Sequence, residues 1–94
     1  MIRREGDTCT VEGPLTLGNI TSVLAESGPM ISGQSLTVDL AQVTDVDSAA
    51  VSLMLEWRRM AEARGLSLSY VNLPENLNSL AELYGVRDIL VGAG

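Results

Sequence analysis

The sequence predicts a small α/β domain in which helices pack on a mixed β-sheet that contains parallel βαβ units. Two apolar, β-favouring runs, 36–40 and 66–71, are separated by an amphipathic helix, and such a connection makes the two strands parallel with a right-handed crossover. The 94 residues are 46% hydrophobic. A chain of this size forms a single core that buries roughly 60 to 65% of its unfolded surface. We therefore predict one domain over residues 1–94.

The first strand is predicted over residues 8–12. Polar and apolar residues alternate there, which is typical of a half-buried strand, and the alternation places Cys9 and Val11 on the inner face. Gly13 and Pro14 are expected to end this strand. Cys9 is the single cysteine of the chain, so it cannot form an internal disulfide, and we expect it to serve packing.

The first helix is predicted to use Thr16 as its N-cap. Leu17, Ile20 and Leu24 fall on one face of this helix, which we expect to be its buried face. The dipeptide Gly28-Pro29 is expected to stop the helix, and the strand at 36–40 follows.

The middle helix opens on Ser48 after an acidic turn. At about 100° per residue, one stripe of its side chains packs on the sheet. The members of this buried stripe are Ala50, Leu53, Met54, Trp57 and Ala61. The members of a second, roughly opposite stripe are Ser48, Ser52, Leu55, Arg59 and Glu62, with Val51 and Arg58 beside it. This outward stripe fits either a protein interface or an ordinary solvated face.

Ser48 has two interpretations. Asp47 or Ser48 would cap the helix by accepting a hydrogen bond from a free backbone N–H, which contributes about 1 kcal/mol. Alternatively, the Ser48 hydroxyl is a recognition or modification point exposed at a helix start. Asp45 and Asp47 suit the positive end of the helix dipole, and their charge argues against adding a phosphate there. Capping therefore explains the residue types best.

The C-terminal part of the chain predicts one more helix after the strand at 66–71. Gly65 ends the middle helix before that strand, and the next helix begins after Pro74 and closes at Gly85. Its expected buried face has the i, i+3, i+4, i+7 spacing. The residues of that face are Leu77, Leu80, Ala81 and Tyr84. The segment 86–90 is predicted to be a docked tail.

Composition argues against several functions. Twelve acidic and six basic residues give a net charge of −6, which would repel a phosphate backbone, so nucleic-acid binding is not expected. The sequence lacks histidine and has neither a Walker loop nor a dinucleotide-binding glycine motif. Asp45 and Asp47 are expected to lie in water with no group to tune them. We therefore expect no enzyme activity, no cofactor and no metal.

Membrane insertion is not expected either, because no apolar run approaches the roughly 20 residues that span a bilayer. The N-terminal residues carry two arginines without an apolar stretch behind them, so they do not resemble a secretory signal. With one cysteine, the chain suits a reducing compartment, and we expect a cytoplasmic location.

The segment 38–48, VDLAQVTDVDS, followed by Val51, Leu53 and Leu55 and then by 65–68, resembles the STAS domain, the fold of anti-sigma-factor antagonists. The segments 80–86 and 6–8 further resemble its MlaB-type branch, the small STAS subunits of ABC transporters that move phospholipid. Phosphorylated antagonists typically carry Asp-Ser-Ser-Gly with the second serine as the switch. This chain has Ala49 at that position, and it has Pro14-Leu15-Thr16 where antagonists commonly carry Glu-Leu-Asp.

The resemblance implies a non-catalytic subunit that binds and regulates the ATPase of an ABC transporter and reaches the permease through it. Such a transporter moves phospholipids between the inner and outer membranes and maintains outer-membrane lipid asymmetry. The chain would lie on the cytoplasmic side of the inner membrane through its partners. Ser48 is the expected central contact, acting as cap and docking residue. Its expected neighbours are Val51, Ser52, Leu55, Arg58 and Arg59. The alternative is an anti-sigma-factor antagonist in a partner-switching pathway, with Ser48 as the regulatory hydroxyl.

Overall fold

The computed structural model describes residues 2–91, which form six strands and four helices. The strands are β1 (Ile2–Glu5), β2 (Thr8–Val11), β3 (Gly13–Leu15), β4 (Ser35–Asp39), β5 (Val43–Val46) and β6 (Ser67–Val71). The helices are α1 (Ile20–Met30), α2 (Ser48–Ala63), α3 (Glu75–Leu83) and α4 (Arg87–Val91). Within these residues, no helix has the length and apolar content that a membrane crossing requires.

The main sheet is mixed, as the sequence predicts. Its strand order is β1-β2-β4-β6. β1 pairs antiparallel with β2, and β4 pairs in parallel with β2 on one side and with β6 on the other. The parallel β4 and β6 are joined through α2, which confirms the predicted βαβ unit. A second sheet consists of β3 and β5, paired in parallel with Gly13 opposite Val43. This small sheet leads the chain into the start of α2.

Three strands correspond to predictions and three do not. β2, β4 and β6 lie where expected, and Cys9 and Val11 of β2 are fully buried. The sequence did not indicate β1. Gly13 and Pro14 end β2 as predicted, but they also begin β3, and the expected acidic turn before α2 contains β5. Each missed strand has only three or four residues, too few for an alternation to be visible. β3 and β5 also pair with each other across α1 and β4, which local sequence patterns do not show.

The predictions for α1 are partly wrong. The helix begins at Ile20 after Asn19, because 16–19 forms a turn in which Asn19 Oδ1 accepts the Thr16 N–H at 2.8 Å. Thr16 is therefore not the N-cap. Leu17 and Leu24 are 78% and 42% exposed, and Ile20 is half-buried. The residues that α1 buries are instead Val23, Ser27 and Met30.

Ser27 explains why hydrophobicity pointed to the wrong face of α1. Its side chain is fully buried, and its hydroxyl donates to the Leu24 carbonyl oxygen at 2.7 Å, within its own helix. A serine that satisfies its hydrogen bond locally can face the core at little cost. The helix thus packs through a face that contains a polar residue and leaves Leu24 exposed.

Pro29 lies inside the last turn of α1, which ends at Met30, so the prediction that Gly28-Pro29 stops the helix is wrong by one or two residues. Two arginines from other elements bind the carbonyl oxygens at this end. Arg64 Nη1 donates to the Gly28 and Ile31 oxygens, both at 2.7 Å, and Arg4 Nη1 donates to the Met30 oxygen at 2.7 Å. Cations are favourable at a helix C-terminus, and these bonds satisfy carbonyls that the helix itself leaves free.

The packing of α2 on the sheet is as predicted. All five residues of its predicted inward stripe are buried, and Trp57 is fully enclosed. The Trp57 and Tyr70 rings stack with centroids 6.5 Å apart and an interplanar angle of 25°. The Tyr70 hydroxyl donates to the Met54 carbonyl oxygen at 2.7 Å, which ties β6 to α2. Burial raises the pKa of Tyr70 well above its ordinary value, against a smaller opposing effect of Arg58.

The helix ends in the C-terminal half are also close to the predictions. Gly65 and Gly85 follow α2 and α3 with φ of +70° and +69°, a conformation that favours glycine. Leu77 and Ala81 of α3 are buried and Leu80 is half-buried, but Tyr84 is 52% exposed, so its predicted burial is wrong. The predicted tail includes most of the short helix α4, which docks through the buried side chain of its fourth residue.

Substitution of Trp57 tests how the core is held together. In the described part of the chain, Trp57 Nε1 is a buried donor without an acceptor. Trp57→Phe removes this unpaired donor, so we expect it to cost at most about 2 kcal/mol of unfolding free energy, whereas Trp57→Ala should cost about 3–5 kcal/mol. Urea unfolding followed by far-UV circular dichroism measures both. Equal losses for the two variants would contradict this account.

Cys9 should be chemically inert in the folded chain. Its side chain is fully buried, and burial raises the pKa of its thiol to about 11, against smaller opposing effects of Arg4 and an Arg3 backbone hydrogen bond. Little thiolate is then present at about pH 8, and reagents cannot reach it. We expect an aromatic disulfide reagent to label the chain only in denaturant. Labelling in native buffer at the rate of the denatured chain would show that Cys9 is accessible.

Candidate partner-binding site

Asp47 organises the start of α2. Its Oδ1 accepts the Ala49 N–H at 2.8 Å, which makes it the N-cap, and its Oδ2 accepts the Leu17 N–H at 2.9 Å. Of the two capping alternatives, Asp47 is the cap, and the interpretation of Ser48 as the cap is wrong. Asp47 is half-buried, so the expectation that it lies in water is also wrong, while Asp45 is exposed.

Ser48 is the first residue of α2 and its side chain is exposed. Because the Asp47 carboxylate already serves the adjacent backbone N–H, the Ser48 hydroxyl is not needed for capping. It lies at one edge of a surface groove with a volume of about 450 Å³. The residues that line this groove are Ser48, Val51, Ser52, Leu55, Tyr84 and Val86.

The groove contains four of the six residues that the sequence predicts as partner contacts. Ser48 and Ser52 are exposed, as expected. Val51 is only 4% exposed and Leu55 is half-buried, so the prediction that both lie on an exposed side is wrong. The turn between α3 and α4 packs beside this part of α2 and covers them, which the periodicity of α2 alone does not show. Val51 and Leu55 therefore contribute apolar wall rather than rim.

The two arginines predicted as weaker contacts lie outside the groove lining. Arg58 pairs with Glu62 at 2.9 Å, one helical turn further on, and Arg59 pairs with Glu56. Both guanidinium groups are exposed, and such pairs contribute little to stability. The structure brings Ser48, Val51, Ser52 and Leu55 together and leaves Arg58 and Arg59 on a neighbouring surface.

Tyr84 and Val86 belong to the groove, although the sequence did not suggest them. The sequence predicts Tyr84 on the buried face of α3 and Val86 in a docked tail. They flank Gly85, where the chain leaves α3 and turns into α4. A helix-ending glycine is a signal that its neighbours sit at a turn, but it does not tell which surface they reach.

The groove is suited to contact rather than to chemistry. Its walls are aliphatic and aromatic, and its polar side-chain groups are the hydroxyls of Ser48, Ser52 and Tyr84. Among residues 2–91, no group of three or more histidine, cysteine, aspartate or glutamate side chains is arranged to hold a metal ion. What this arrangement can do is bury an apolar group of another molecule and hydrogen-bond at the edge.

Similar solved structures show the same fold. The unphosphorylated anti-sigma factor antagonist SpoIIAA matches with a TM-score of 0.75 and 15% identity, over 100% of this chain and 87% of that one. Mglu matches with a TM-score of 0.63 and 24% identity over 82% of this chain, and its native form with 0.55 and 22% over 79%. The chain spans only about a fifth of Mglu, 20% and 22% in the two structures.

No curated protein matches the chain significantly. A family model described as "Mlab, STAS domain" matches residues 2–92, nearly the whole chain. This match agrees with the α/β fold, the mixed sheet and the likeness to SpoIIAA. The chain therefore belongs to the STAS domain family, in its MlaB-type branch.

Proposed function

We propose that this chain is a non-catalytic STAS subunit that binds and regulates the ATPase of an ABC transporter. That transporter moves phospholipids between the inner and outer membranes and so maintains outer-membrane lipid asymmetry. The chain contacts the permease only through the ATPase and lies on the cytoplasmic side of the inner membrane through these partners. The observation that carries the proposal is the MlaB-type family match over residues 2–92.

The geometry of the groove supports a docking role. Its apolar walls surround a cavity of about 450 Å³ next to an exposed hydroxyl, the combination of apolar core and polar rim that protein interfaces use. Ser48 and Ser52 lie one turn apart on α2, so both hydroxyls can meet one partner surface. Since α2 is rigidly packed through Trp57, the groove is preformed on a stable element.

The same surface argues for contact without phosphorylation. In this chain Ala49 replaces the second serine of the Asp-Ser-Ser-Gly switch and carries no hydroxyl. A phosphate on Ser48 would meet the Asp47 carboxylate, whose two oxygens already occupy the Ala49 and Leu17 N–H groups. The added charge would therefore be repelled at this helix start. A neutral Ser48 is the form that suits docking.

The second candidate is an anti-sigma-factor antagonist that acts by partner switching. The likeness to SpoIIAA favours it, because that antagonist shares the fold at a TM-score of 0.75. At 15% identity the likeness concerns the fold alone. The exposed Ser48 would be the regulatory hydroxyl in this case.

A bulky side chain at Ser48 should weaken the complex with the ATPase. We expect Ser48→Tyr to raise the dissociation constant at least about tenfold, since the ring would block the groove edge at the centre of the contact. Isothermal titration calorimetry with the purified ATPase subunit measures this. Ser67→Tyr is the matched control, because Ser67 is exposed at the start of β6, away from the groove lining.

Thermal unfolding of both variants should match that of the unsubstituted chain, which separates docking from stability. An unchanged dissociation constant for Ser48→Tyr would remove Ser48 from the interface. If the unsubstituted chain does not bind the ATPase at all, the transporter proposal fails.

The signalling candidate makes a different prediction. An anti-sigma kinase with ATP should add one phosphate to the chain, and Ser48→Ala should abolish the addition. Intact-mass spectrometry after incubation measures this. We expect no addition, for the charge reason given above, and stoichiometric phosphorylation at Ser48 would favour the antagonist over the transporter subunit.

A further inference from the structure

The walls of the groove are mainly apolar, whereas charged residues lie around it. Val51 forms an almost fully buried floor, and Leu55 and Val86 are half-buried beside it. Tyr84 stands at the edge with 52% of its surface exposed, although it is a large side chain beside three apolar ones. A concave apolar site with a partly exposed aromatic edge is the form in which interfaces receive an anchor side chain.

Exposed acidic residues follow or precede two lining residues of the groove closely along the chain, Asp88 after Val86 and Asp45 before Ser48. A second cleft shares the turn between α3 and α4, and its lining residues are Glu82, Gly85, Arg87 and Asp88. Arg87 is engaged within the chain, since its Nε donates to Asn78 Oδ1 at 2.7 Å and lies 3.7 Å from a Glu82 oxygen. Near the start of α2, Asp45 is exposed two residues before the cap Asp47. Arg58 and Arg59, one turn beyond Leu55, are each paired with a glutamate of α2. With a net charge of −6 on the chain, the residues around the groove carry more negative than positive charge.

We propose that the groove receives an apolar side chain of the ATPase subunit that is carried between basic residues, with the apolar group against Leu55 and Tyr84 and the cations facing Asp45 and Asp88. This inference rests on the proposed function and specifies the chemistry of the partner. Apolar burial supplies affinity, and the opposite charges orient the approach and speed association. A second copy of this chain does not fit, because its net charge of −6 repels an equally acidic partner.

Two neighbouring residues at the C-terminal end of α3 allow a matched test of the groove. Tyr84 and Leu83 are both large and exposed, 52% and 76%, but only Tyr84 is among the lining residues. We expect Tyr84→Ala to raise the dissociation constant for the ATPase about tenfold or more, and Leu83→Ala to change it by less than about threefold. Calorimetry measures both, and thermal unfolding verifies that the variants are folded.

A second variant fills the groove instead of emptying it. Ser52 is exposed at the edge, so Ser52→Tyr should fold normally and should weaken binding by a similar factor. If Tyr84→Ala is unstable, Ser52→Tyr alone decides. Unchanged affinity in every folded groove variant overturns the inference.

The charge part of the inference predicts slower association without Asp88. Asp88→Asn should lower the association rate constant and flatten its dependence on salt, because one long-range attraction is lost. Glu26→Gln is the control, since Glu26 is an exposed carboxylate on α1 outside both clefts. Surface plasmon resonance at several salt concentrations measures this, and equal effects of the two variants would refute a basic partner.

These outcomes separate the inference from the proposed function. If the unsubstituted chain binds the ATPase but Tyr84→Ala, Ser52→Tyr and Asp88→Asn leave binding unchanged, the proposed function stands and the groove inference fails. If analytical ultracentrifugation shows a dimer of this chain that Tyr84→Ala dissociates, the occupant is a second copy and the inference fails as well.

Discussion

The packing of α2 on the sheet is the contact on which the rest of the structure depends. Trp57 is fully buried between small residues of the same stripe, Ala50 and Ala61, and stacks on Tyr70 of β6. Because side chains follow one another at about 100° around a helix, fixing this stripe also fixes where every other residue of α2 points. The exposed positions of Ser48 and Ser52 are thus a consequence of core packing. The buried stripe of α2, which does not line the groove, determines how the groove residues of α2 are oriented.

The sequence predicts those elements of the fold whose hydrophobic pattern lies within a single segment of the chain. β4, α2 and β6 have clear hydrophobic patterns, so their types, order and parallel connection could be derived. β1, β3 and β5 are short, so their residue patterns are weak, and β3 and β5 also depend on pairing with each other across α1 and β4. The face of α1 was misassigned for a related reason, because the hydrogen bond from the Ser27 hydroxyl to Leu24 makes a polar residue compatible with the core.

The sequence likewise predicts only part of the candidate site. The spacing of α2 grouped Ser48, Val51, Ser52 and Leu55, which the structure does bring together. Burial of Val51 and the participation of Tyr84 depend on how the turn between α3 and α4 rests on α2. That contact joins elements far apart in sequence, so the hydrophobic periodicity of α2 does not predict it. Arg58 and Arg59 are predicted as partner contacts because they lie near the outward stripe of α2. In the structure they pair with Glu62 and Glu56 of the same helix and do not line the groove.

The Asp47 carboxylate has a consequence for how much disorder docking must remove. Its two oxygens accept the Ala49 and Leu17 N–H groups, so the backbone at the start of α2 and the backbone at Leu17 are held together before any partner arrives. A surface whose segments are already ordered loses less conformational entropy on association. The turn before α1 is already ordered against the start of α2 in the folded chain. A partner that contacts both segments therefore does not have to order them relative to each other when it binds.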